Sequence, residues 1–260
     1  MTAGPSRCSV LGVGVSLVDM DRAIAGIDRW IAEGRRDYVC VTGAHGVIES
    51  QSDPELMAIH NAAGLVLPDG MPVVWMARAL SGQPVERVCG FDFLPAFAAH
   101  SAGKGYRHFF YGGAPGIPEA LRDRLTRAYP GFEVVGTLSP PFRPPTPEED
   151  AAMVGTINAA RPDVVWVGLS TPKQERWMAG HRDRLEATVL IGVGAAFDVG
   201  AGVKTRAPRW THNLGLEWLY RLINEPGRLW CRYATIVPAF LFLAAGQLIV
   251  SRLTRGSRSG

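Results

Sequence analysis

The feature that most constrains this chain is a regular alternation of short apolar runs with helical patterns. The strand-like runs are CSVLGV (8–13), YVCVT (38–42), LVLP (65–68), RHFFYGG (107–113), FEVVG (132–136), DVVWVGL (163–169) and TVLIGVG (188–194). Between them, Asp19 caps a helix that carries Ile24, Ile27, Trp30 and Ile31 on one face. Further helical patterns end near Gln51, start at Pro54, run through Leu80, and cover 117–129, 148–160 and 173–181. This order predicts an α/β fold, a Rossmann-like and mainly parallel sheet with helices on both faces. A chain of 260 residues can build one large α/β domain or two small lobes. The expected catalytic domain is 1–203, with a division into two lobes near 103–106 left open.

The alternation stops near Ala201. Residues 210–233 read as a helix and its continuation, and 233–251 (YATIVPAFLFLAAGQLIVS) carry no charge. Nineteen helical residues span about 28 Å, close to the hydrocarbon thickness of a bilayer. Pro238, Gly246 and Gln247 interrupt the run, so a buried helix or an oligomer contact stays open beside membrane insertion. From Val203 onward nine Lys/Arg face two acids, whereas the rest of the chain is mildly acidic. The expected division is therefore a basic helical appendage at 204–233, then an apolar membrane anchor with a basic tail at 234–260. Such a tail calls for an anionic partner. Nucleic acid is the weakest reading, because the basic residues adjoin a membrane-length run and match no nucleic-acid motif. Cys8, Cys40, Cys89 and Cys231 are far apart and read as reduced, buried residues. The N-terminus lacks a signal-peptide pattern, so the body is expected at the cytoplasmic face of the membrane.

Ligands of open α/β sheets bind at the carboxyl ends of the strands. Thr42 ends one strand and Asp69 follows the next. Asp69 is the best general base, with helix capping as its alternative. Gly112, Gly113 and Gly116 form the turn YGGAPG, which suits a phosphate, since missing side chains let N–H groups approach an anion. Lys173, Gln174 and Glu175 lie in STPKQE, and Gly194 and Asp198 in GVGAAFD. Arg206, Arg209, Arg221, Arg228 and Arg232 crowd one segment; they read as diphosphate ligands, as a juxtamembrane anchor, or as both. LGVG (11–14) lacks the third glycine of a dinucleotide fingerprint. Asp19-Met20-Asp21 matches a metal-binding DxD pattern but reads better as a helix start, and the histidines are scattered. No metal and no cofactor are expected.

Eight blocks in order, VCVTGAHGV, LVLPDGMPVVW, ERVCGFDFL, FFYGGAPGIPE, VGLSTPKQERW, IGVGAAFDVGAG, RAPRW and GLEWLYRLINEPGRLWCRY, resemble the WecG/TagA/CpsF family of glycosyltransferases (family 26) from about Leu11 to Tyr233. The resemblance implies an inverting enzyme that moves an N-acetylmannosamine-type or related sugar from a UDP-sugar to a polyprenyl-diphosphate-linked acceptor, in cell-surface polysaccharide or teichoic-acid-like synthesis. It implies Asp69 as catalytic base, with Thr42 beside it. Arg87 and Gln174 would line the same pocket, and arginines around Arg221 and Arg228 would reach the diphosphate. One departure stands out: many members read Thr-x-Asn where this chain reads Thr42-Gly43-Ala44-His45. The alternative from another class is a non-catalytic, membrane-tethered nucleotide-sugar-binding protein. Membrane lipid is an expected partner, and a homo-oligomer is left open.

Overall fold

A computed structural model describes residues 5–208, 210–211 and 215–256, except for the side chains at 221, 224, 228, 255 and 256. A hairpin of β1 (Arg7–Val10) and β2 (Val13–Ser16) leads into α1 (Met20–Glu33). The sheet strands are β3 (Asp37–Thr42), β4 (Leu65–Pro68), β5 (Arg107–Gly112), β6 (Glu133–Leu138), β7 (Val164–Gly168) and β8 (Val189–Gly192). They form one six-stranded sheet in the order β4-β3-β8-β7-β5-β6, and every pairing is parallel. Residues 103–106 lie in the turn that enters β5 of this sheet.

Helices α2 (Ala44–Ser52), α3 (Pro54–Ala62), α4 (Met71–Ser81), α7 (Pro147–Ala159) and α8 (Lys173–His181) supply one face. There Val47, Val73, Met153 and Met178 pack with Cys40, Tyr111 and Val167. Helices α1, α5 (Gly90–Ser101), α6 (Ile117–Ala128) and α9 (Ala196–Gly200) cover the other. There Ile27, Phe97, Leu121 and Phe197 pack with Val39, Phe110 and Trp166. Successive strand residues enter opposite cores, which is why both alternate positions are apolar.

Two local departures from the sequence reading have physical causes. Residues 8–13 do not make one strand. Leu11 (φ 49°) and Gly12 (φ 88°) turn the chain back on itself, and this pair of positive φ angles matches a two-residue hairpin turn. LGVG is therefore a hairpin tip and does not open a helix. Helix α5 carries no recognisable pattern in sequence because Gly90 starts it and Pro95 lies inside it; burial of Phe93, Leu94 and Phe97 outweighs both.

The C-terminal part is α10 (Glu217–Asn224) and α11 (Pro226–Gly256), separated at Glu225. Pro226 opens the second helix, where its missing N–H costs nothing. Helix α11 packs along the body against α2 and α4. Leu229, Ile236, Phe240 and Ala244 are buried, a spacing that keeps one stripe inward. Further along, the Gln247 carboxamide clasps the hairpin: Leu11 N–H donates to Oε1 (3.0 Å) and Nε2 donates to the Ser9 carbonyl (2.8 Å). Phe242 (80% exposed), Leu253 (70%) and Leu241 (64%) lie on the outer side.

Candidate active site

Asp69 follows β4 at the carboxyl edge of the sheet. Its N–H donates to the Thr42 carbonyl at the end of β3 (3.1 Å), which extends the β3–β4 ladder by one residue. Helix α4 starts from Gly70 with no side-chain cap. Helix α2 likewise starts from a bare glycine, Gly43. The two glycines nearly touch, and Asp69 Oδ2 lies 3.8 Å from where a Gly43 side chain would begin. Two helix N-termini thus flank this carboxylate.

Arg87 locks this corner. Its Nε donates to the Asp69 carbonyl (2.7 Å) and its Nη2 to Glu217 Oε2 on α10 (2.9 Å). Glu217 in turn lines a cleft of about 300 Å³ with Phe91, Ala195, Val199, Lys204, Arg206, Tyr220 and Glu225. The cleft runs between the start of α5, α9 with the loop after it, and α10. Arg206 grips Asp92 with two bonds of 2.6 Å, and its guanidinium lies over the Phe91 ring. Burial works to raise the Asp92 pKa, but Arg206 and the Cys89 thiol outweigh it and hold the carboxyl below its ordinary range. Lys204 pairs with Asp198 (2.9 Å). The cleft therefore offers cations already fixed in place.

Thr42 and Gln174 are each only 2% exposed, and Glu175 is fully buried. Thr42 ends β3 beside Gly46 of α2, and Gln174 packs against Gly192 and Gly194 at the end of β8. Thr42 Oγ1, Gln174 Oε1 and Glu175 Oε2 have no hydrogen-bond partner among the described residues. Lys173 is exposed at the start of α8.

The glycine turn sits further along the same edge. Gly112 (φ 125°) packs so closely on Gly168 that a side chain would meet its carbonyl oxygen at 2.6 Å. Gly113 N–H donates to that carbonyl (3.1 Å). The β5–β7 contact thus requires glycine at 112, a side chain at Gly113 (φ 73°) would meet Ile117, and Gly116, capping α6 at φ 88°, faces open space. Between β5 and β7 the connections diverge, to β6 on one side and to β8 on the other, which makes this the switch-point crevice of the sheet.

Arg232 is exposed on α11 and faces His45, which pairs with Glu49 (2.9 Å). Arg209 and the side chains of Arg221 and Arg228 lie outside the described residues. Asp19 caps α1 by accepting from Arg22 N–H (2.8 Å). No group of three metal-ligating side chains occurs among the described residues. Sequence reasoning missed Glu217, Asp92 and Gln247. Their partners are 130, 114 and more than 230 residues away, a separation that no local pattern reveals.

The chain matches the sequence profile of the Glycosyl transferase WecG/TagA/CpsF family over residues 8–254. A relative from Bacillus spizizenii, an N-acetylglucosaminyldiphosphoundecaprenol N-acetyl-beta-D-mannosaminyltransferase, is 32% identical over 189 residues, covering 72% of this chain and 71% of the relative. The Bacillus subtilis protein of the same name is 30% identical over 184 residues, covering 71% and 70%. The profile spans nearly the whole chain, across sheet, cleft and α11 alike, and the chain belongs to the WecG/TagA/CpsF family of glycosyltransferases.

Proposed function

We propose that this glycosyltransferase moves a sugar, with inversion, from a UDP-sugar to a polyprenyl-diphosphate-linked glycan at the cytoplasmic face of the membrane. The observation that carries the reading is the Asp69 corner: a carboxylate flanked by two glycine-started helices, locked by Arg87 and joined through Glu217 to a cleft that holds Lys204 and Arg206. The Bacillus relatives, named for N-acetylmannosamine transfer to an undecaprenyl-diphosphate acceptor, support the acceptor class and an N-acetylmannosamine-type donor.

Asp69 takes the proton of the acceptor hydroxyl. The oxygen attacks the anomeric carbon from the face opposite UDP, the bond from that carbon to the UDP oxygen breaks, and UDP leaves with the electron pair. Negative charge grows on the leaving diphosphate, where Lys204, Arg206 and the tail arginines stabilise it. Strand spacing refines the placement. Asp69 and the glycine turn are four strands apart, about 19 Å at ordinary inter-strand distance. A sugar joined directly to a diphosphate cannot bridge that gap. The diphosphate therefore belongs near β8 and the cleft, and the Gly112–Gly116 turn takes the nucleoside.

Helix α11 holds the enzyme at the membrane. The segment Leu229–Thr254 is long and apolar enough to cross a bilayer, yet one stripe of it is buried on the body. In this reading α11 lies in the membrane plane with its outer face in lipid. The test is UDP release over a panel of UDP-sugars with a short-chain lipid-diphosphate acceptor. Release that needs both substrates supports transfer. Binding of UDP-sugar without release under any pairing would leave only a non-catalytic sugar-nucleotide binder.

A further inference from the structure

The STPKQE turn holds a buried carboxyl that the mechanism above does not use. Glu175 Oε1 accepts two hydrogen bonds, from Gln174 Nε2 (3.0 Å) and Thr171 Oγ1 (2.9 Å). Its other oxygen is buried without a partner among the described residues, and no Lys or Arg appears among the groups acting on it. Burial raises its pKa, and the nearby Glu49 adds to the effect, against the pull of the hydrogen bonds from Gln174, its own backbone and Thr171.

The surroundings of Gln174 are cut to fit one orientation of its carboxamide. A side chain at Gly192 would meet Gln174 Cδ and Nε2, each at 3.1 Å, and one at Gly194 would meet Oε1 at 3.4 Å. Gly194 also holds φ 52°, where a side chain is disfavoured. With Nε2 turned to Glu175, Oε1 faces the ends of β7 and β8, between Ser170 and Gly194. Flipping the amide would set two carbonyl-type oxygens against each other at the distance now occupied by the Gln174–Glu175 bond.

We infer that Glu175 is a positioning residue that orients the Gln174 carboxamide so that its oxygen meets a hydrogen-bond donor, a hydroxyl or amide N–H, on the sugar of the substrate. This rests on the sugar-transfer reading above. The polarity selects against phosphate, whose oxygens are acceptors. It gives the buried end of β8 a sugar-facing acceptor, distinct from the cleft that holds Lys204 and Arg206.

The inference is tested with Glu175→Gln, Glu175→Leu and the wild type. Readouts are kcat and KM for each UDP-sugar, and solvent exchange of the Gln174 side-chain amide by NMR, assigned through Gln174→Glu. Glu175→Gln keeps an acceptor and no charge, so kcat and KM stay within about threefold and the amide stays protected. Glu175→Leu frees the amide: exchange accelerates, KM rises about tenfold or more with a smaller change in kcat, and discrimination between N-acetylated and plain sugars falls. A hundredfold loss in Glu175→Gln would overturn the inference, because it requires a charged carboxylate. So would unchanged exchange and KM in Glu175→Leu. If Glu175→Leu fails to fold, Glu175→Met, which likewise removes the acceptor, takes its place with the same readouts and the same outcomes. A wild type that turns over no UDP-sugar sinks the transfer reading, while amide exchange still judges the orientation.

Discussion

Arg87 joins the Asp69 corner to the C-terminal helices, and its removal should uncouple them. Arg87→Met keeps most of the stem and deletes both the bond to the Asp69 carbonyl and the pair with Glu217. The Arg87 side chain is 14% exposed and Glu217 20%, between the limits for surface and buried pairs. A bond from a charged donor to a carbonyl contributes about 1.5–3 kcal/mol, and exposed pairs at most about 1. The expected cost of Arg87→Met is thus about 2–3 kcal/mol, and Glu217→Gln about 1. In a double-mutant cycle by urea unfolding the two should couple by about 1 kcal/mol. UDP release should fall further than stability predicts, by about a hundredfold in Arg87→Met, since a displacement near 1 Å at a reacting group costs that much. Additive stabilities within about 0.4 kcal/mol, together with turnover within threefold of wild type, would refute the idea that one arginine holds both parts in register.

Asp69→Asn should stay folded and lose about 10²–10⁴ in turnover; a folded mutant near wild-type rate removes the base assignment. Turnover should survive EDTA, given the lack of a three-ligand cluster among the described residues; loss on chelation that Mn²⁺ or Mg²⁺ restores would return attention to Asp19 and Asp21. Stability should fall as pH drops below 6.5, because burial lowers His108 from 6.5 to about 3 and the unfolded chain takes up the proton first. The contribution is at most about 1.4 kcal/mol per pH unit for that one group, and an urea midpoint that is flat from pH 6.5 to 5 contradicts it. Cys231, which is exposed, and a cysteine placed at Thr254 should both react with an impermeant thiol reagent from the cytoplasmic side only; opposite sidedness would make α11 a span.

The parts of this protein that sequence exposes are those whose cause is local. Strand ends announce themselves because an apolar run stops at a polar or glycine residue, so Thr42, Asp69, the YGGAPG turn and the PKQE turn were all legible as positions on one sheet edge. Even there, the chemistry at each position was not. The close approach of Gly112 to Gly168, 56 residues downstream, is one long-range contact that the YGGAPG turn conceals. Thr42 and Gln174 read as pocket residues, and the structure buries both almost completely, with one side-chain oxygen of each left without a partner among the described residues. Arg206 reads as a diphosphate ligand, a juxtamembrane anchor or both, and the structure adds its pairing with both oxygens of Asp92. Long-range pairing decides each of these outcomes, and a single sequence contains no record of it.

The same limit explains why nineteen uncharged residues looked like a possible bilayer span. Hydropathy measures what a helix could bury, not what it does bury. The 31 residues of α11 extend about 46 Å, more than a perpendicular span needs. A helix packed on its own domain presents two apolar faces of different origin: the inner one, with Ile236, Phe240 and Ala244, is part of the core; the outer one, with Leu241, Phe242 and Leu253, is not. Crossing a bilayer would strip the inner face from the domain and break the Gln247 bonds to the hairpin, leaving the Leu11 N–H and the Ser9 carbonyl without them. Lying in the interface keeps both faces satisfied. It also fixes geometry: the N-terminal half of α11 runs beside α2, whose first turn adjoins Asp69. Under the proposed function, an acceptor held in the membrane by its lipid would present its diphosphate at the level where α11 begins, next to Arg232, and its sugar hydroxyl toward Asp69. The proposed anchor would then set the height at which the proposed base meets the acceptor.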